Sequence, residues 1–335
     1  MEYYSYICVN GNFKESGSYQ MDAVITYVNG NDPVWKRDYE KYTNVPVMEK
    51  RFRDWGTLKY LLRGIQTMMP FVHNVYLVVS HPSQVPEWAD TDNLKIILHK
   101  DIIPEEYLPT FNCNPIEMHL HRIPGLSEEY LYFNDDMFPV GKCEPTEFFR
   151  EGKGVIGMYR HLLSTNMYKK ICRLCDQVAR RLAGKGSAMT FMRPQHICSP
   201  MLKSVCTEIY DSDVSEIRQT SLCRTRVEDN LCQYVYIDYM YHKGLIIPEK
   251  ISNKHFSVGL ASAGRLKNFL MNPDRKMVCI NDVKLNDKKY AELREAILEA
   301  FETKFPDKSR FEKYEKPGRR VGLSYGIGDY APKLS

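Results

Sequence analysis

Two adjacent carboxylates end an apolar run: residues 131–138 read Leu-Tyr-Phe-Asn-Asp-Asp-Met-Phe. At such a junction Asp135 and Asp136 can hold a divalent cation against a phosphate or take a proton from a hydroxyl. Ligands of open α/β sheets bind beyond the carboxyl ends of the strands, so the chemistry is expected here. Asn134-Asp135-Asp136 is equally ordinary turn chemistry, and taken alone the turn reading prevails. Upstream, Glu117 and His121 stand four apart, on one face of a helix that precedes this strand. Glu117 also suits half of a capping box, with Asn114 as cap and Pro115 in the first position. His119 points elsewhere and reads as structural.

Arg51 and Arg53, beside Asp54, put two guanidiniums at a helix N-terminus, a workable diphosphate clamp; the alternative is a solvated charge cluster. In Asn29-Gly30-Asn31-Asp32-Pro33 a glycine lets a ligand approach the backbone, between polar side chains able to hold a nucleotide. His196, after Arg193-Pro194-Gln195, is a lone histidine of the kind that is usually structural. Arg224 and Arg226 precede Glu228-Asp229-Asn230 and could simply pair with those acids.

The elements that must position these residues follow from periodicity. Runs at 23–28, 75–79, 94–98 and 130–133 are apolar and strand-like, the first closed by the 29–33 turn. From Thr57, behind Asp54 as a cap, Leu58, Leu61, Leu62, Ile65, Met68 and Met69 recur at helical spacing. Strands alternating with helices predict an α/β fold: a largely parallel, Rossmann-like sheet covered by helices on both faces. Beyond residues 155–158 the texture changes. Residues 164–182, 201–210 and 227–241 read as helical, giving a helical insertion over about 161–250. Tyr290, Leu293, Ile297, Ala300 and Phe301 form one more helical stripe that should dock on the core. Residues 1–20 read as a polar, tyrosine-rich arm, 21–315 as a single catalytic domain, and 316–335 as a mobile tail.

Composition narrows the class. With 335 residues, 43% hydrophobic and 26% charged, the chain can bury a full core. The formal net charge of +4, without long like-charge runs, does not indicate a nucleic-acid footprint. No run of eighteen apolar residues and no signal-peptide pattern appears, so neither a membrane span nor secretion is expected. The ten cysteines are scattered, which suits reduced thiols in a cytosolic setting. Cys172 and Cys175 read as two helical thiols rather than as a zinc or redox site, with Cys198 and Cys206 as weak additional ligand candidates.

In order along the chain, these segments resemble the Stealth family, which includes bacterial capsular-polysaccharide phosphotransferases and the catalytic core of the lysosomal-enzyme N-acetylglucosamine-1-phosphotransferase. The first region of resemblance is residues 23–33. The second runs from Arg51-Phe52-Arg53-Asp54 through residues 58–63 and on into 74–79. The third, the most specific, joins residues 108–112, Ile116-Glu117, His119 and residues 121–128 to Tyr132-Phe133-Asn134-Asp135-Asp136. The fourth is Cys279-Ile280-Asn281-Asp282 together with residues 304–312.

The resemblance implies a glycosyltransferase-A-like sheet and transfer of a hexose- or N-acetylhexosamine-1-phosphate from a UDP-sugar to an acceptor hydroxyl. It matches Glu117, Asp135 and Asp136 to acidic active-site residues, and His196 and Arg226 to a catalytic histidine and a phosphate-binding arginine. Asn230 stands where relatives carry an acid four residues after that arginine, which leaves Arg224 as a rival. Asp135 and Asp136 become expected ligands of Mg²⁺ or Mn²⁺. Asn29, Asp32, Arg51, Arg53, His121, Arg122 and Asn134 become expected substrate-binding residues. Expected partners are the UDP-sugar, an oligosaccharide or polysaccharide acceptor, lipid-linked at the cytoplasmic membrane face, and capsule-assembly proteins. Two rivals stand beside this reading: a metal-dependent glycosyltransferase releasing UDP, and a noncatalytic nucleotide-sugar-binding subunit.

Overall fold

The β-branched run that ends at the 29–33 turn becomes the centre of a five-stranded sheet. The computed structural model describes residues 7–9, 12–14, 21–44, 47 and 52–314; Arg51, the 316–335 tail and most of the N-terminal arm lie outside them. β1 (Met21–Thr26) has parallel partners on both sides. On one side lie β2 (Val72–Val79) and then β3 (Leu94–Leu98); on the other lies β4 (Glu129–Asn134). β1 is buried on both faces, hence its apolar sequence. Its one acid, Asp22, is fully buried and accepts hydrogen bonds from the Asn74 backbone N–H (3.1 Å), Asn74 Nδ2 (2.9 Å) and the Ser127 N–H (2.8 Å). It cross-ties the segments that flank it.

After β4 the chain turns at Asp135 and Asp136 and enters β5 (Met137–Pro139), which belongs to a second sheet. β6 (Met158–His161) and β7 (Phe191–Pro194) pair antiparallel. β8 (Ser199–Leu202) returns to the main sheet as an edge strand antiparallel to β4. β9 (Asn253–Ser257) runs parallel to β10 (Met277–Asn281), and β10 pairs antiparallel with β5. The protein is thus of the expected α/β class, with a mostly parallel mixed sheet.

Helices form close to where their apolar stripes predict, and the departures have local causes. α1 (Pro33–Tyr42) starts at Asp32, whose side chain accepts from the Trp35 N–H. α2 (Leu58–Met68) is capped at Thr57 rather than Asp54; Asp54 Oδ1 instead accepts from the Gly56 N–H at 2.8 Å and so folds its own turn. α3 (Cys113–His119) begins two residues earlier than expected, because Asn112, not Asn114, accepts the capping bond. Glu117 therefore caps nothing. α4 (Met167–Leu182) starts at Asn166.

Two of the expected helices are shorter than their periodicity suggests. Residues 199–202 find an open edge on β4 and become strand, and the helix there is Lys203–Asp211. Residues 227–233 stay irregular, and only α5 (Tyr234–His242) is helical. Asn230 holds that segment: its Oδ1 accepts from Asn112 Nδ2 (2.8 Å) and the Val227 N–H (3.1 Å). α6 (Asp287–Lys304) buries Leu293, Ile297, Ala300 and Phe301 as expected. Each fully buried large side chain contributes about 1.5–3 kcal/mol, so this stripe is enough to dock the helix. Among the described residues no helix is long and apolar enough to cross a membrane.

Candidate active site

Strand order reverses at β1: the chain proceeds outward through β2 and β3 on one side and through β4 on the other. The crevice outside the carboxyl ends of β1 and β4 is the switch point at which such sheets bind ligands. A cavity of about 1100 Å³ opens there, lined by Thr26 and Tyr27 after β1 and by Asn134, Asp135 and Asp136 after β4.

One wall is acidic. The Asp136 carbonyl accepts from the Ile280 N–H (2.9 Å), which ties the turn to β10. Its carboxylate receives the Cys279 thiol at Oδ2 (3.4 Å), while Oδ1 is buried without a hydrogen-bond partner. Burial raises Asp136 to about 6, and nearby Asp282 adds to the rise. Asp135 is pushed up to about 8, by burial first and then by the charges of Asp136 and Asp54. Asp54 and Asp282 also line the cavity; Asp282 accepts from Trp55 Nε1 at 3.0 Å and lies 3.9 Å from Arg53 Nη1. Four carboxylates line one space and Asp136 keeps an orphaned oxygen, a chemistry that suits a hard divalent cation. Among the described residues, the ligand atoms that lie within 4.8 Å of one another are those of Asp136, His196 and Cys279, not those of three carboxylates.

Glu117, Arg226 and His196 line the same cavity, His196 with a ring nitrogen within 4.8 Å of the Asp136 carboxylate. α3 buries Glu117, which accepts from Tyr132 OH (3.1 Å) and the Gln233 N–H (2.9 Å); Tyr132 OH also shares a hydrogen bond with Thr26 Oγ1 (3.0 Å). Burial raises the Glu117 pKa against the opposing pull of Arg226. Arg226 rests a terminal nitrogen on the Cys113 sulfur, and its Nε is buried without a partner. Arg224 lies outside this cavity, over the Tyr42 ring.

His196 follows β7, in a loop braced by Gln195, whose amide bonds both the N–H (2.9 Å) and the carbonyl (2.7 Å) of Ile251. His196 Nδ1 is 3.0 Å from Tyr234 OH, which is 3.3 Å from Tyr168 OH. Burial brings its pKa down to about 4, helped by His255, Arg193 and Arg226, so the imidazole is neutral.

The structure therefore gathers Glu117, Asp135, Asp136, His196, Arg226, Arg53 and Asn134 around one cavity. Other expected substrate contacts lie elsewhere. Asp32 spends its carboxylate on α1, and the Asn29 backbone pairs with the Gln84 amide at 2.6 and 3.2 Å. Gly30 is glycine because a Cβ would sit 2.3 Å from the Phe52 carbonyl oxygen: what approaches its backbone is Phe52, not a ligand. His121 falls in the turn Leu120–Arg122 beyond α3, which swings it off the face of Glu117 and against Tyr210 (4.9 Å). Arg122 also lies over Tyr210. Neither lines the cavity. Several cavity residues were not anticipated as site residues: Asp54, Asp282, Gln233, Tyr234, Lys254 and His255. Asp54 had read as a helix cap, and Asp282 carried a signal only as part of the fourth region.

Comparison with known proteins adds an independent view. Two family profiles, Stealth protein conserved regions 2 and 4, match residues 51–156 and 268–321. A capsular polysaccharide phosphotransferase WcwK of Streptococcus pneumoniae is 31% identical over 88% of this chain and 99% of its own. A receptor polysaccharide phosphotransferase WefC of Streptococcus oralis is 30% identical over the same shares of the two chains. Among solved structures, the galactosyltransferase LgtC in complex with donor and acceptor sugar analogs covers 84% of this chain and 96% of its own, at 11% identity and a TM-score of 0.40.

Proposed function

The chain belongs to the Stealth family and is a polysaccharide phosphotransferase, and from that premise we propose that it moves a sugar-1-phosphate from a UDP-sugar onto a sugar hydroxyl of a surface polysaccharide. The observation that supports this reading is the convergence of opposite chemistries on one cavity: the acids Asp54, Asp135, Asp136 and Asp282 share it with Arg226 and His196.

In this reaction the acceptor oxygen attacks the phosphorus bonded to the sugar. The bond from that phosphorus to the bridging oxygen breaks, and UMP leaves with the electron pair. The attack needs an in-line hydroxyl, a base beside it and positive charge on the non-bridging oxygens. Arg226, with its unpartnered Nε, clamps those oxygens. Neutral His196 takes the hydroxyl proton; its ring is held through Nδ1 by Tyr234. The negative charge of a seated diphosphate raises the proton affinity of the imidazole. Asp135 and Asp136 would hold Mg²⁺ or Mn²⁺, which would supply positive charge against the diphosphate and the departing UMP. Arg53, near Asp282 and stacked 4.5 Å from the Tyr290 ring centroid, lies on the donor side.

A UDP-sugar panel assayed with an oligosaccharide acceptor tests the reading. The expected products are UMP and a phosphodiester resonance in the phosphorus NMR spectrum. Release of UDP, with a glycosidic product, would instead establish a glycosyltransferase.

A further inference from the structure

Charge is unevenly distributed along this chain. Between residues 152 and 207 the sole acid is Asp176, against ten lysines and arginines, although the whole chain carries a net charge of only +4. The same segment also exposes large apolar side chains: Leu162 is 54% exposed, Leu163 66% and Met189 83%. They sit together. His161 pairs with Phe191 at the end of the β6–β7 ladder, so the two strands leave it side by side, one toward Leu162 and the other from Met189. Arg173 of α4 locks both: its guanidinium donates to the Leu162 carbonyl, to the Met189 carbonyl at 3.2 Å and to Ser164 Oγ at 3.1 Å. The apolar knuckle is therefore a built feature. Arg160 precedes the knuckle on its ladder, Lys169 lies close enough to His161 to act on it, and Lys185 is four residues before Met189; none of the three forms a salt bridge among the described residues. On its inner side the same hairpin and helix supply Tyr159, Arg193 and Tyr168 to the cavity wall.

We propose that Leu162, Leu163 and Met189, together with these cations, form a docking surface for an anionic lipid bilayer, which sets the cavity mouth against the membrane to receive a lipid-carried acceptor. Apolar insertion and a basic rim are the two signals that stable interfacial binding needs in combination. A protein partner would be expected to present acids to the rim or a hollow to the knuckle; a bilayer meets both with one surface. The acceptor half of the proposal rests on the phosphotransferase reading above, and the docking half does not.

The test is cosedimentation of the full chain with vesicles of phosphatidylcholine alone or mixed with phosphatidylglycerol. Binding is expected to the mixed vesicles only, to weaken with salt, and to fall about tenfold or more in a Leu162→Asp, Leu163→Asp, Met189→Asp variant. All three side chains are exposed and outside the cavity wall, so the variant should fold and transfer to a soluble oligosaccharide at the wild-type rate. Transfer to a lipid-carried acceptor in vesicles should drop. No binding to anionic vesicles, or equal binding by the variant, overturns the docking surface. So does a wild-type dimer that the variant dissolves while vesicles go unbound, which would assign the patch to a second copy. Vesicle binding that persists where no UMP is released would leave docking intact and remove only the phosphotransferase reading.

Discussion

Asp136 stands at the centre of the acid cluster, with one oxygen held by Cys279 and the other unpartnered. Its replacement by asparagine keeps the shape and removes the charge. Asp136→Asn should reduce transfer by about 10²–10³ with a cation-free unfolding midpoint no lower than that of the wild type; a near-normal rate would remove it from the mechanism. His196→Ala should cost about 10²–10⁴ in kcat with little change in KM, as expected of a proton acceptor that does not bind the donor, and a rate within a few-fold of wild type would assign the proton elsewhere.

The raised carboxylates set a pH dependence. Asp135 near 8 and Asp136 near 6 keep protons in the native state that ordinary aspartates, near 3.8, have lost in the unfolded chain. The native state then binds more protons, so without a cation stability falls as pH rises from about 4 to about 8. A divalent cation displaces those protons. Magnesium should therefore raise the melting temperature more at pH 8 than at pH 6, and a shift that is equal or larger at pH 6 would contradict the assignment.

At the scale of elements, the acid turn is held because α2 lies against β5. Gly64 makes that approach possible: a Cβ there would meet the Pro139 carbonyl oxygen at 2.8 Å. Alanine gains about 1 kcal/mol in helix propensity, but overpacking against backbone costs about 1–3 kcal/mol. Gly64→Ala should be net destabilising by about 1 kcal/mol in urea unfolding, and a stability equal to or above wild type would show that α2 can move away.

Element by element, legibility tracked how local the deciding force was. The strand Leu94–Leu98 was readable to the residue, because local features bound it: the turn at 91–93 before it and the short helix His99–Ile102 that starts directly after it. Residues 201–202 were not, since an open edge on β4 outweighed their helical spacing. The paired acids were visible because they interrupt an apolar run. Asp54 was hidden behind an ordinary capping pattern, and Gly30 looked like a ligand contact because Phe52, the group that needs the space, is distant in sequence.

Across the whole molecule, the second and fourth regions of resemblance prove to be each other's partners. Arg63 of α2 is 4% exposed and Glu312 3%; they form a two-pronged ion pair with both bonds at 2.8 Å, and Arg63 adds a bond to the Phe305 carbonyl at 2.7 Å. Nothing in the sequence separates such a structural pair from a catalytic one. Glu312→Ala removes two bonds from the buried guanidinium, leaving it the Phe305 carbonyl and the half-exposed Glu302 at 3.3 Å, and should cost about 3 kcal/mol in thermal unfolding, whereas the double replacement Arg63→Met, Glu312→Leu should recover much of the loss. A single variant as stable as the wild type would show that Arg63 finds water instead.

That clasp also sets an order of events during synthesis. The acid wall draws on Asp54, Asp135 and Asp136 and is completed by Asp282, and the helix that backs it is fastened through Glu312. A nascent chain emerging N-terminus first can build its central strands early, yet the site lacks a wall until residue 282 is out and its fastening until residue 312 follows. The acid wall is thus finished well after the central strands that carry its first members.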